Sequence, residues 1–365
     1  MNGNLEVFPI TKFLLKEALD NNTIWINKSQ IIPFSKSKAK WLIENDRIDD
    51  NDVCGIVGYE NNELVSFVYL VPDFLNTNDG IKKVFWCRRW WISEKHKNTI
   101  LPTYTMNVAL EATKNQIVIK FLGKDVEAYY RKQPFSTFSP RVRYFILFNI
   151  DSNLLIRRLG FLKFLKPVFK RIDSISLAII NSINTKKVKK NLRKVKFDYL
   201  SIINSNTWEF INEYTADDIF PKSKNHLNWQ VNNNQYTQAP INNKNIHNCL
   251  ISSIEKNIYN INFSVIVKNE IVGFISVLIR NKEFVIRYFL SHKDYESICI
   301  DALIYNFIKS KTTSIQTENQ ALGEQIRKNY TNFYTDKRNL YALAHKDINF
   351  NFSEIKITDR DGHFA

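Results

Sequence analysis

A chain of 365 residues, 44% hydrophobic, 24% charged and 13% aromatic, has the apolar content for about two folded domains and excludes disordered, collagen-like and low-complexity chains. Cys54, Cys87, Cys249 and Cys299 are scattered without a CxxC or Cys/His cluster, so no zinc site, other metal site or disulfide framework is signalled, and the expected compartment is a reducing cytoplasm. Of the net charge of +15, the segment Leu154 to Lys196 carries +12, with thirteen Lys or Arg against Asp173, so the basicity belongs to one segment and not to the domains.

The opening MNGNLEVFPITKFLLKEALDNN carries charges throughout and lacks the apolar run of a signal peptide, and no stretch of 18 uncharged apolar residues follows. The expectation is a protein neither secreted nor membrane-spanning. YENNELVSFVYLVPD (Tyr59 to Asp73) reads as a β-hairpin with an Asn-containing turn. FWCRRWWISEKHK (Phe85 to Lys97) reads as a strand closing on aromatic residues and a polar loop, YTMNVALEATKN as a helix by its apolar spacing, and QIVIKFLG as a further strand. A short helix and a last strand follow, in KDVEAYYRKQPFSTFSPRVRYFILFNI.

LLIRRLGFLKFLKPVFKRIDSISLAIINSINTKKVKKNLRKVK then mixes cations with Leu, Ile and Phe and ends in an almost purely cationic tract, the composition of an arm between two halves, with Pro167 arguing for a break. Beyond it the same order returns. VKNEIVGFISVLIRN matches the first hairpin, FVIRYFLSHKDYE the strand and loop, ICIDALIYNFIKSK the helix, TTSIQTEN the next strand, and ALGEQIRKNYTNFYTDKRNLYALAHKDI the final helix and strand. A shared element order at similar spacing signals duplication of one α/β unit. The tail ITDRDGHFA, with Asp359, Asp361 and His363, reads as a turn near an exposed terminus in preference to a cation site.

The unit resembles the GNAT-type N-acyltransferases. The residues that carry the likeness are IPFSKSKAKWLIENDRIDDNDVCGIVGYENNELVSFVYLVPD, WWISEKHKNTILPTYTMNVALEA and EAYYRKQPF, over most of residues 5–150 and, more weakly, 195–350. The resemblance implies an α/β (α+β) protein of two such domains, each a mixed, mostly antiparallel sheet flanked by helices: residues 1–150, a basic linker or arm at 151–196, and a degenerate second copy at 197–365. It further implies transfer of an acyl group, most simply acetyl from acetyl-CoA, to a small-molecule amine such as an amino sugar or nucleotide-linked sugar in surface-polysaccharide assembly.

In that family the loop before the long helix holds the coenzyme pyrophosphate on backbone N–H groups, where glycine allows close approach and the helix N-terminus favours an anion. The equivalent residues are Lys95, His96, Lys97, Asn98, Thr99 and Thr103, which bring cations but no glycine, with Pro102 removing a donor. The second copy places Asp294 and Glu296 in the same loop. By the same resemblance the backbone near Trp90, Trp91 and Ile92 contacts the thioester carbonyl, and a tyrosine of the short helix, Tyr130 in preference to Tyr129, protonates the leaving thiolate, with Tyr330 its looser counterpart in the second copy. Asp73, nearer the cleft than Glu60 or Glu63, is the candidate base, and His96 a further base or phosphate partner. Arg88 and Arg89 alternate on their strand, so one of them is expected to face an anionic acceptor, with Trp90 beside it.

Two other readings stay open. A non-catalytic binding module would explain loops without glycine, and a Fem-like aminoacyl transferase using charged tRNA would employ the basic arm on RNA. Residues 154–196 also suit an anionic membrane surface, which would place the protein in the cytoplasm at the inner face of the membrane.

Overall fold

The computed structural model describes residues 4–24, 31–77, 79–150, 164, 166–236, 248–251, 258–352 and 355–362. The first half runs β1 (Leu5–Thr11), α1 (Lys12–Asn21), β2 (Ile31–Phe34), α2 (Lys36–Ile43), β3 (Val53–Glu60), β4 (Glu63–Thr77), β5 (Gly80–Ile92), α3 (Leu101–Ala112), β6 (Ile117–Ile119), α4 (Lys124–Tyr130) and β7 (Phe135–Leu147). Helix α5 (Lys166–Asn191) follows. The second half runs β8 (Val195–Tyr199), α6 (Ser205–Thr215), α7 (Lys224–Val231), β9 (Asn248–Ile251), β10 (Ile258–Val267), β11 (Glu270–Arg280), β12 (Glu283–Ser291), α8 (Glu296–Lys309), β13 (Ser314–Thr317), α9 (Gln320–Asn329) and β14 (Tyr334–His345).

Local chemistry explains the hairpins. The β3–β4 turn places Asn61 and Asn62 at φ 52° and 65°, and the β10–β11 turn places Lys268 and Asn269 at φ 52° and 68°. Two consecutive left-handed residues make the two-residue turn whose twist matches that of the strands it joins.

The repeat extends further than the hairpins. Pro33, Ser35, Lys36 and Trp41 recur as Pro221, Ser223, Lys224 and Trp229, at the entry to and within α2 and α7. Each serine caps its helix, Ser35 accepting from the Lys38 N–H and Ser223 from the His226 N–H, both at 3.1 Å.

Twelve of the described strands form one sheet, in the order β1-β3-β4-β5-β6-β14-β7-β13-β12-β11-β10-β8. The halves therefore share a sheet, and they exchange their last strands. β14 lies antiparallel to β6, with Leu343 opposite Ile119, while β7 lies antiparallel to β13, with Leu147 opposite Ser314. β7 and β14 pair with each other along their length at the centre. An approximate two-fold relation runs through that central pair, since the strand order reads the same outward from it in both directions.

One face of the sheet is covered by α1, α2 and the C-terminal residues in the first half and by α6 and α7 in the second, and the opposite face by α3 and α4, then α5, α8 and α9. On β5, Trp86 joins the cluster containing Trp41 and Phe220, and Cys87 joins that of Met106 and Leu110 of α3. The duplication made the second face apolar twice over.

The tail differs from its expectation as an exposed terminus. Asp361 is buried in an ion pair with Lys222 at 2.7 Å, and the ammonium of buried Lys120 donates to the carbonyls of Thr358 and Asp361, both at 2.7 Å. Asp359 accepts from the Thr317 hydroxyl at 2.6 Å and the Glu318 N–H at 2.7 Å. Residues that a sequence reads as solvated charge are strapped across the centre of the sheet; His363 lies outside the described residues.

Pro167 does not break α5. It sits in the first turn, where its missing N–H has no helical partner to lose. Ile180, Asn184 and Val188 bury one side of α5 against the second half, where the Asn184 amide donates to the Thr331 carbonyl at 2.8 Å. Among the described residues no helix is long and apolar enough to cross a membrane.

Candidate active site

β5 and β6 pair in parallel only at Phe85–Ile117 and Trp86–Val118. Beyond Trp86, β5 continues to Ile92 on its ladder to β4 alone, so one backbone edge of Cys87–Ile92 is released from β6. The departure coincides with a β-bulge. Tyr69 faces Arg89 and Leu70 faces Cys87, which leaves Arg88 as the extra residue. The second half repeats this: Ser276 faces Tyr288 and Val277 faces Ile286, so Arg287 is the bulged residue, and the β12–β13 pairing ends at Val285. Bulges bend a strand and re-aim a side chain, here at the head of a split between parallel strands in each half.

The first split is lined by aromatic side chains. Trp90 packs edge-on against Tyr129 and Tyr130, at centroid distances of 5.0 and 6.0 Å. The Trp90 Nε1–H and the Tyr129 hydroxyl are both buried with no hydrogen-bond partner among the described residues. Such orphans are costly in a dry core and fit a bound molecule that supplies acceptors and donors. The Tyr130 hydroxyl is instead directed at the Met106 sulfur, 3.8 Å away, and burial pushes its pKa well above the usual value. Burial also raises Tyr129, which keeps its proton at neutral pH.

The other sequence candidates divide sharply. Asp73 is not an open base. It is buried, ion-paired with Arg47 at 2.5 Å, and accepts from the Trp86 indole at 3.1 Å. Lys95 pairs with Glu60, and Lys97 with Glu94 at 2.6 Å. His96 bridges the Ser93 hydroxyl at 2.8 Å and Glu60 at 3.4 Å. The hydrogen bond from Lys95 holds the Glu60 carboxyl below its usual range. Asn98 is exposed, the Thr99 hydroxyl bonds the His96 carbonyl at 2.8 Å, and Thr103 is exposed on the first turn of α3. The cations expected to meet phosphates are thus each met by an acid of this chain. Arg89 is exposed, and Trp91 packs toward the Trp86 side of the sheet, so neither meets Trp90 or Tyr130.

Arg88 leads elsewhere, to a cavity of about 260 Å³ between the halves that also takes in Phe121, Arg143, Arg280, Arg287 and Glu318. The repeat aligned on Ser93 and Ser291 sets Arg89 beside Arg287, and it is the matching bulges of the structure that make Arg88 its equivalent. Arg143, Phe121 and Glu318 had no signal in the sequence.

The chain is similar in fold to GCN5-related N-acetyltransferases. One from Kribbella flavida is 7% identical, with 93% of this chain and 71% of that one covered at a TM-score of 0.45. One from Anabaena variabilis is 7% identical, with 93% and 72% covered at 0.46. The glucosamine N-acetyltransferase region of a fungal multi-domain β-N-acetylglucosaminidase is 11% identical, with 94% of this chain and 38% of that one covered at 0.48. No family model and no curated protein matches the sequence. At these identities the likeness is one of fold, and every residue role below rests on this chain's own geometry.

Proposed function

We propose that the protein is an N-acyltransferase that carries an acyl group from coenzyme A to an amine at the split in the first half. The observation that supports this is the released edge of Cys87–Ile92 beside two buried polar atoms, Trp90 Nε1 and Tyr129 Oη, that have no partner among the described residues. Free backbone N–H groups on that edge would polarise the thioester carbonyl, and Trp90 would hold an amide of the pantetheine arm. The amine nitrogen forms the C–N bond as the C–S bond breaks. Its proton leaves to solvent, and Tyr129, held protonated by burial, returns one to the thiolate. Tyr129 takes this role in preference to Tyr130 because its hydroxyl has no competing partner among the described residues.

The coenzyme phosphates find a weaker partner. The loop before α3 lacks glycine and has its lysines ion-paired, and Pro102 stands in the first turn of α3. This observation favours the second reading, a non-catalytic module. Titration of acetyl-CoA into the whole chain decides between them: saturable heat at micromolar coenzyme supports transfer, and none at millimolar concentration supports the module. With an acceptor in hand, Tyr129→Phe lowers turnover about a hundredfold at unchanged coenzyme affinity, whereas Tyr130→Phe leaves turnover near that of the parent. The reverse order reassigns the proton donor to Tyr130.

A further inference from the structure

We propose that the arginine-lined cavity between the halves is an anion site, and that it holds a phosphate or carboxylate carried by the acceptor amine. The proposal rests on the acyltransferase reading for the word acceptor, though not for the anion site itself. Arg88 and Arg287, the two bulged residues, enter the cavity from opposite halves. Arg143 joins them from the central strand β7. The guanidinium groups of Arg88 and Arg143 both stand over the Phe121 ring, at 5.0 and 4.4 Å.

The cavity gathers Arg88, Arg143, Arg280 and Arg287 against the carboxylates Glu318 and Asp359. Glu318 is shared by Arg143 at 2.7 Å, Arg141 at 2.7 Å and Lys120 at 3.5 Å, and Arg280 is taken by Glu283 at 2.6 Å. Arg287 donates to the Tyr236 hydroxyl at 3.1 Å and toward the Gln230 carbonyl at 3.5 Å. Arg88 makes no ion pair among the described residues, and its Nε is buried without a partner. Burial and the neighbouring Arg287 and Arg143 charges lower Arg88 to about 10. A guanidinium whose Nε is buried without a partner among the described residues, beside two other guanidinium groups, favours an added anion, and a planar five-donor fork suits phosphate or carboxylate.

The position agrees with the chemistry proposed for the split. Arg88 lies two residues beyond Trp86, the last residue of β5 that pairs with β6. The cavity adjoins Leu278 and Val285, which pack with Tyr236 on the face that carries α7, while α3 and the coenzyme loop lie on the other face. An acceptor anchored here would reach the split from the side opposite the coenzyme.

The test is calorimetry of the full chain with pyrophosphate and, separately, malonate, at constant ionic strength. Saturable binding is expected, and Arg88→Gln should weaken it about tenfold or more, as loss of a buried charge-assisted contact does. Arg88→Lys, which keeps the charge and loses the fork, should fall between. Pyrophosphate bound in preference to malonate identifies a phosphate-bearing acceptor, and the reverse a carboxylate-bearing one. Equal binding by parent and Arg88→Gln, or no saturable heat with either anion at millimolar concentration, overturns the site. Should Arg88→Gln not fold, a parent chain whose thermal midpoint rises no more with pyrophosphate than with sodium chloride of equal ionic strength overturns it too. Anion binding without acetyl-CoA binding sinks the transferase reading and leaves the site standing.

A separate observation concerns α5. Val168, Ile172, Ile175, Ile179 and Ile183 are between 38% and 59% exposed and, at 100° per residue, lie within an arc of about 80°. Lys186 and Lys190 continue that arc, Arg171 and Lys189 flank it, and the helix's one acid, Asp173, is part-buried outside it. We infer that this stripe lies on an anionic lipid surface, since aliphatic side chains edged with cations complement acyl chains under negative headgroups. The whole chain should sediment with phosphatidylglycerol-containing vesicles and not with phosphatidylcholine alone. Ile175→Glu with Ile179→Glu should abolish this, and each of Lys186→Gln and Lys190→Gln should weaken it roughly fivefold. Vesicle binding unchanged by Ile175→Glu with Ile179→Glu, RNA binding without vesicle binding, or a concentration-dependent dimer that the glutamates dissociate, overturns the lipid assignment.

Discussion

Trp41 and Trp229 stack with centroids 3.9 Å apart and 14° between planes, and each donates its indole N–H to the other's backbone carbonyl, at 2.7 and 2.5 Å. They occupy equivalent places in the two halves, so the repeat meets itself here. Trp41→Phe keeps most of the stacking and leaves the Trp229 carbonyl only the Asn232 N–H, at 3.4 Å. It should cost about 1–3 kcal/mol in urea unfolding, and Trp41→Ala about 3–5 kcal/mol. Because both bonds belong to one contact, the loss in the Trp41→Phe, Trp229→Phe double variant should be smaller than the two single losses added.

Gly323 lets α9 rest on the exchanged strand β7. A Cβ there would meet the Tyr144 ring at 2.5–2.8 Å. The contact is helix backbone on a buried ring, so Gly323→Val should lower stability by about 1–3 kcal/mol, read as a fall in thermal midpoint. Tyr144→Leu should recover part of that loss by withdrawing the ring.

Asp73→Asn separates a structural carboxylate from a catalytic one. The substitution leaves Arg47 buried without its counter-charge, and the cost should be about 3–5 kcal/mol. Acetyl-CoA affinity at a temperature where the variant is folded should match the parent. Selective loss of turnover in a fully stable variant would return Asp73 to the chemistry.

Asp359 makes the anion site pH-dependent. Burial and the Glu318 charge raise it to about 6, against the pull of Lys120. Below that pH it is neutral and the cavity gains one net positive charge, while Glu318 is held near 2, against burial, by Lys120, Arg141 and Arg143 and stays ionised. Sulfate, which does not titrate in this range, should bind more tightly as pH falls from 8 to 5, and Asp359→Asn should flatten the profile. The same group favours folding at low pH: its folded pKa exceeds the unfolded value of 3.8, so its contribution is full below 3.8 and is lost as pH rises through about 6.

The alternation of apolar residues and the Asn-containing turns determined both hairpins from sequence, and the returning element order determined that one unit occurs twice, because these signals are local. The candidate site was legible in part: Arg88 and the two tyrosines were named, yet which tyrosine has an uncommitted hydroxyl depends on Met106 packing from a different helix. Asp73 read as an open base because Arg47, 26 residues away, leaves no local trace beside it. Only the tertiary structure decided that β7 and β14 change places, that the charged tail is buried over Lys120, and that Arg88, Arg143 and Arg287 share one cavity. Each depends on contacts between segments far apart in the chain, where the energy lies in pairing and desolvation and not in local propensity.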